Sequence, residues 1–123
     1  MSIKYKRHEL YPESILIRKF IGKVTFNEIF DSWKYLCENK LIDHKIKGVI
    51  NDLLDCEIEM DLKSFENLLN YMKNQDCIRK IKLAVITNNP KIIIFPILGE
   101  NQKKELKIKP FSTMDAAVDW VQQ

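Results

Sequence analysis

The stretch Lys47-Gly48-Val49-Ile50-Asn51-Asp52-Leu53-Leu54-Asp55 constrains the fold of this chain more than any other. Successive residues of a strand point to opposite faces. Val49 and Leu53 then share one face with Asn51 between them, and Ile50 and Leu54 share the other with Asp52 between them. Branched apolar side chains on both faces predict a strand covered on both sides, inside a sheet with helices above and below. Polar groups buried in such a strand need partners, and a buried charge needs one most. In open α/β sheets, ligands bind beyond the carboxyl ends of the strands. Asp52 and Asp55 are therefore candidate site residues. The competing reading is that they cap neighbouring helices or tie down a loop.

The rest of the chain supplies elements to pack against this strand. Residues 3–10 alternate loosely and predict an edge strand, Tyr11-Pro12-Glu13-Ser14 predicts a turn, and Ser14 to Ile21 predicts a second strand with Ile15 and Ile17 opposing Leu16 and Phe20. A link this short makes an antiparallel hairpin. Thr25-Phe26-Asn27-Glu28 has the form of a capping box, and Phe26, Ile29, Phe30, Trp33, Leu36 and Cys37 then follow helical spacing, the pattern of a core-facing helix. A second helix is predicted from Asp61, a plausible N-cap, to about Asn74, with Leu62, Phe65, Leu68, Leu69 and Met72 facing inward.

Ile81 to Thr87 predicts a further strand, with Ile81, Leu83 and Val85 on one face and Ala84 and Ile86 on the other. Asn88-Asn89-Pro90 ends it and opens a third helix, since proline suits the first helical position. Asn88 and Asn89 either line a cleft beside Asp52 or serve as turn residues. Ile92, Ile93, Ile94, Phe95, Ile97 and Leu98 leave this helix no polar face, and Pro96 predicts that it is short or kinked. A segment apolar all round is buried either in its own fold or against a partner, and both readings stay open. Glu105 to Phe111 predicts an edge strand protected by Lys107, Lys109 and Pro110. Ser112 and Asp115 predict a second capping box, followed by a helix with Met114, Ala117, Val118 and Val121 inward and Trp120 at the flank.

Size and charge exclude several function classes. A chain of 123 residues suits one domain, spanning 1–123, with one core. The net charge of +3, from 20 basic and 17 acidic residues, is too small an excess to argue for nucleic acid. No apolar run approaches the roughly 18 residues needed to span a bilayer, and the first residues lack the apolar core of a signal peptide. Cys37, Cys56 and Cys77 are an odd, widely spaced set, with His8 and His44 distant from them in sequence. That spacing argues against a disulfide framework and against a zinc site. The expectation is a cytoplasmic protein with reduced thiols, no metal and no cofactor.

The order β-β-α-β-α-β-α-β-α, ending in Phe111-Ser112-Thr113-Met114-Asp115-Ala116-Ala117-Val118-Asp119-Trp120, resembles the STAS superfamily, and most of all its SpoIIAA-like branch. Gly48-Val49-Ile50-Asn51-Asp52 also resembles the family's strand ending in aspartate. The resemblance covers nearly the whole chain. It implies an α/β sandwich with a mixed, mostly parallel five-stranded sheet and an N-terminal antiparallel hairpin. It also implies a binding or regulatory module rather than an enzyme. The anti-sigma-factor antagonists of the superfamily carry a phosphorylated serine in an Asp-Ser-x-Gly turn at the start of the second helix. Here that region reads Glu57-Ile58-Glu59-Met60-Asp61, without hydroxyl or glycine, and Ser64 lies a turn further on, so no phosphoserine switch is expected. The branch is similar to lipid-binding folds as well, which implies a small apolar ligand.

Two functions follow as expectations. One is a non-enzymatic module that docks a protein partner or a small apolar ligand, or self-associates as a homodimer, with Asp52, Asp55, Asn88, Ile92, Ile94, Phe95 and Ile97 as candidate contacts. The alternative is a small hydrolase-like or acid/base enzyme using Asp52 and Asp55. General acid–base work needs both groups within reach of one substrate, whereas residues three apart on a regular strand point to opposite faces. Convergence is expected only if Asp55 lies in a loop.

Overall fold

A computed structural model describes residues 3–59, 61–102 and 106–123. The strands are β1 (Ile3–Arg7), β2 (Ile15–Val24), β3 (Gly48–Ile58), β4 (Lys82–Ile86) and β5 (Lys107–Phe111). The helices are α1 (Phe26–Glu38), α2 (Leu62–Lys73), α3 (Asp76–Arg79), α4 (Pro90–Gln102) and α5 (Met114–Gln122). The strands form one sheet in the order β1-β2-β3-β4-β5. β1 is antiparallel to β2, and each later neighbouring pair is parallel. This is the mixed sheet with an N-terminal hairpin that the element order predicts.

The central stretch is covered on both sides at its start, with Val49 and Ile50 both at 0% exposure. On one face, Leu16, Phe20, Val49, Leu53 and Leu83 pack with Phe26 and Trp33 of α1, Phe65 and Leu69 of α2, and Ile92 and Phe95 of α4. On the other, Ile15, Ile17, Ile50, Ala84 and Ile86 lie under Ala117 and Val121 of α5. Gly48 explains how closely α5 approaches. A Cβ there would sit 2.6 Å from Val121 Cγ1 and 2.8 Å from the Lys82 carbonyl oxygen, closer than van der Waals contact allows.

Local chemistry starts the helices. Thr25 Oγ1 accepts the Glu28 amide at 3.1 Å while Glu28 Oε1 accepts the Thr25 amide at 3.0 Å, the reciprocal pair of a capping box. Asp61 Oδ1 accepts the amides of Lys63 and Ser64 at the head of α2. At α5 the cap is Thr113 rather than Ser112: its Oγ1 accepts the Ala116 amide at 3.2 Å. The predicted box between Ser112 and Asp115 is off by one residue, because Thr113 holds the extended cap conformation and α5 begins at Met114.

Four further readings are corrected. Leu62 is 62% exposed, because it is the first residue of α2, before the helix turns its apolar side to the sheet. Leu54 is 44% exposed, for a reason given below. α4 is not short. It runs through Pro96 to Gln102, and burial of Ile92 and Phe95 on the sheet holds it across the one missing backbone donor. The four-residue α3 has no apolar periodicity long enough to announce it. Met60 and residues 103–105, including Glu105 where the last strand is predicted to begin, lie outside the described residues, as does the side chain of Leu98.

Candidate functional site

Asp52 and Asp55 both belong to β3, yet both carboxylates reach the same ammonium. Lys19 Nζ lies 3.4 Å from Asp52 Oδ2 and 2.8 Å from Asp55 Oδ2. The expectation that they diverge unless Asp55 leaves the strand is overturned. The cause is a bulge. Lys19 pairs with Asp52 and Ile21 with Asp55, so two steps along β2 match three along β3. The extra residue changes the phase of the strand: Val49 and Leu53 pack on the α1/α2 side before it, and Cys56 and Ile58 do so after it. Asp52 Oδ1 also accepts the Leu54 amide at 3.1 Å, a backbone group that the bulge releases from the ladder. The hydrogen bond from Lys19 to Asp55, reinforced by the charge of Asp52, raises the lysine pKa above its ordinary value.

The opposite face of the same strands holds a cation that sequence reasoning passed over. Arg18 is 2% exposed, and no carboxylate pairs with it among the described residues. Its Nε donates to Asn51 Oδ1 at 2.8 Å and its Nη1 to Ser32 Oγ at 3.0 Å. Asn51 Nδ2 in turn donates to the Ala84 carbonyl at 2.9 Å, and Ser32 Oγ shares a 2.7 Å hydrogen bond with the Tyr5 hydroxyl. The guanidinium carbon lies 4.0 Å from the centroid of Trp33 and 5.0 Å from that of Phe20, where the ring faces attract a cation. Burial pushes the Arg18 pKa down to about 9, which leaves it a cation at neutral pH. The signal for Arg18 is present in the sequence: it stands between Leu16 and Phe20 on the buried side of a period-two strand.

Arg18 and Asn51 border a cavity of about 90 Å³ between the sheet and the helices α1, α2 and α4. The rest of its wall is apolar or aromatic, and Phe26, Phe65 and Phe95 pack there with centroids 4.7 to 5.5 Å apart. The candidate residues thus divide. Ile92 and Phe95 line the cavity. Ile94 and Ile97 are exposed on α4 at 47% and 43%. Asp52 and Asp55 share the other face of the sheet with Lys19, and Asn88 is exposed between β4 and α4. At the start of α4 it is Asn89, not Asn88, whose Oδ1 accepts the Lys91 amide. The structure therefore brings Asp52 and Asp55 together at Lys19 and Ile92 and Phe95 together at the cavity, and joins Asn88 by hydrogen bond to neither pair among the described residues.

Cys37 and Cys77, forty positions apart, meet with their sulfurs at 2.7 Å as free thiols. Among the described residues, no three His, Cys, Asp or Glu side chains are grouped to hold a metal ion, and no helix is long and apolar enough to cross a membrane.

No family model matches the sequence, and no curated relative matches it. Solved structures do. An uncharacterized protein of the DUF3478 family from Shewanella loihica PV-4, described as having a SpoIIAA-like fold, superposes with a TM-score of 0.63 at 18% identity, over 98% of this chain and 92% of that one. The chain has the SpoIIAA-like fold. The anti-sigma factor antagonist SpoIIAA in its unphosphorylated form matches with a TM-score of 0.59 at 9% identity, over 98% of each chain. An anti-sigma factor antagonist from Mycobacterium paratuberculosis gives 0.59 at 13%, over 99% of this chain and 94% of that one. At these identities the SpoIIAA-like fold is what is shared, and the side chains described above are this chain's own.

Proposed function

We propose that this chain is a non-enzymatic binding module that docks a protein partner through the outer side of α4. The observation that supports this most directly is the pair Ile94 and Ile97, 47% and 43% exposed on a helix that already buries Ile92 and Phe95 on its inner side. The two isoleucines are three residues apart and so neighbours on one helical face. Branched apolar side chains grouped on a surface gain free energy when a partner covers them. A second copy of the chain is one such partner, which gives a homodimer. The regulatory proteins that share the fold favour the same reading.

Acid/base catalysis has less support. The Lys19 ammonium occupies both Asp52 and Asp55, and Asp52 also holds the Leu54 amide. A phosphoserine switch at the head of α2 has little support either. Asp61 already supplies the negative charge that a helix N-terminus favours, and Ser64 Oγ donates to Asp61 Oδ2 at 2.7 Å. The test is solution mass, by sedimentation, of wild type, Ile94→Asp and Ile97→Asp, with circular dichroism to confirm folding. Association in the wild type that both folded variants lose supports the reading. Association unchanged in both, or absent from the wild type with no partner captured through this face by crosslinking, overturns it.

A further inference from the structure

We propose that the cavity beside Arg18 is a binding site for a short-chain monocarboxylate, an acid of about two carbons. This goes beyond the docking reading and does not need the outer side of α4.

The argument starts from donors. A guanidinium carries five N–H groups. Those of Arg18 used within the protein are on Nε and Nη1, and Nη2 has no partner among the described residues. Among the described residues, every side-chain nitrogen or oxygen that is sealed from open space does have a partner. Nη2 is therefore not sealed, and Arg18, only 2% exposed, borders the cavity. A buried cation with free donors and no counter-ion is costly. An anion that supplies its oxygens there removes the cost and gains charge-assisted hydrogen bonds.

Charge and shape narrow the class. One positive charge is balanced by one negative charge, so a monoanion fits and a dianion such as phosphate would bury an excess of its own. Arg18 and Asn51 are the polar residues in the wall. Phe20, Phe26, Leu53 and Phe95 are among the apolar ones, so the remainder of the ligand is hydrocarbon. A cavity of about 150 Å³ takes benzene. At about 90 Å³ this one takes about four heavy atoms by the same measure, a carboxylate with one methyl group.

Sodium acetate is the probe, titrated into ¹⁵N-arginine-labelled protein and observed through the Arg18 side-chain resonances. Emission of Trp33 is followed in a Trp120→Phe background, because Trp33 stacks on Arg18 and Trp120 packs on the far face of the sheet. Saturable shifts of the Arg18 resonances, with a parallel change in Trp33 emission, are expected. Affinity should fall at least about tenfold for ethanol, which lacks the charge, and for octanoate, which is too long. Arg18→Met should abolish acetate binding. Should that variant fail to fold, the comparison of acetate with ethanol on the wild type still decides. No shift with acetate, ethanol binding as tightly as acetate, or octanoate binding as tightly as acetate overturns the proposal.

Discussion

Arg18 and Asn51 stand directly opposite one another on β2 and β3, and the Asn51 amide oxygen accepts the Arg18 Nε–H at 2.8 Å. The asparagine is the arginine's polar neighbour from the next strand, and it is anchored in turn on the Ala84 carbonyl. Asn51→Leu leaves a buried cation short of an acceptor. Urea denaturation should show a loss of about 3 kcal/mol, with Asn51→Asp losing less because it restores an acceptor of opposite charge.

The buried guanidinium also sets a pH dependence. Its folded pKa of about 9 lies well below that of the free side chain. Between these values the unfolded chain binds the proton that the folded chain releases, so stability rises with pH across that window. Below about pH 9 both states are protonated and the cost of burying the charge is present in full. The stability difference between wild type and Arg18→Met should be flat near neutral pH and shift in the wild type's favour above about pH 9, as measured by denaturant titration at several pH values.

Gly48→Ala tests the approach of α5. The added methyl meets Val121 and the Lys82 carbonyl well inside contact distance, and β4 cannot retreat without losing its pairing to β3. A loss of about 1–3 kcal/mol is expected, read by thermal unfolding. Val121→Ala in the same chain should recover part of it.

Lys19→Met removes the ammonium between Asp52 and Asp55. The lysine is 39% exposed, so solvent screens the interaction, and the loss should stay below about 1 kcal/mol. Because the folded lysine pKa is raised, its stabilisation is present at neutral pH and disappears as pH rises through that raised value. The gap between wild type and variant should close in strong alkali and shrink in high salt.

Thiol chemistry gives a separate check. Burial and the contact with Cys77 push the Cys37 pKa from 9.0 up to about 12. At a given pH the thiolate fraction falls roughly a thousandfold, one factor of ten for each pH unit. Burial, with the charges of Asp52 and Asp55, pushes Cys56 up to about 11. Alkylation by iodoacetamide at mildly alkaline pH, followed by mass spectrometry, should be slow at both cysteines in the folded protein and fast in urea, since the thiolate is the reactive form.

What was legible in the sequence follows the range of each interaction. The stripe from Phe26 to Leu36, the alternation of Ile15, Leu16 and Ile17, and the two-sided burial of Val49 and Ile50 are local patterns, and the structure keeps them. The need of Asn51 for a partner is equally local. Which residue partners it depends on the register of β2 against β3, which no local pattern specifies. The meeting of Cys37 with Cys77 depends on how α1 and α3 come together. In α4 every side chain from Ile92 to Phe95 is apolar, so composition holds no trace of which pair turns inward until the sheet is in place. The convergence of Asp52 and Asp55 was hidden for another reason. No glycine or proline marks the bulge, and its one trace is that inward residues step from Leu53 to Cys56.

That step makes Leu54 surplus to the pattern. A chain shortened by that residue would match β2 one for one, keep Leu53, Cys56 and Ile58 inward, and leave both aspartates on the side of Lys19. Deleting Leu53 gives the same sequence as deleting Leu54, whereas losing Ile50 or Asn51 would turn Asp52 inward and Leu53 outward. Natural length variation in this segment is thus tolerable at the Leu53-Leu54 pair, where the chain carries a spare link.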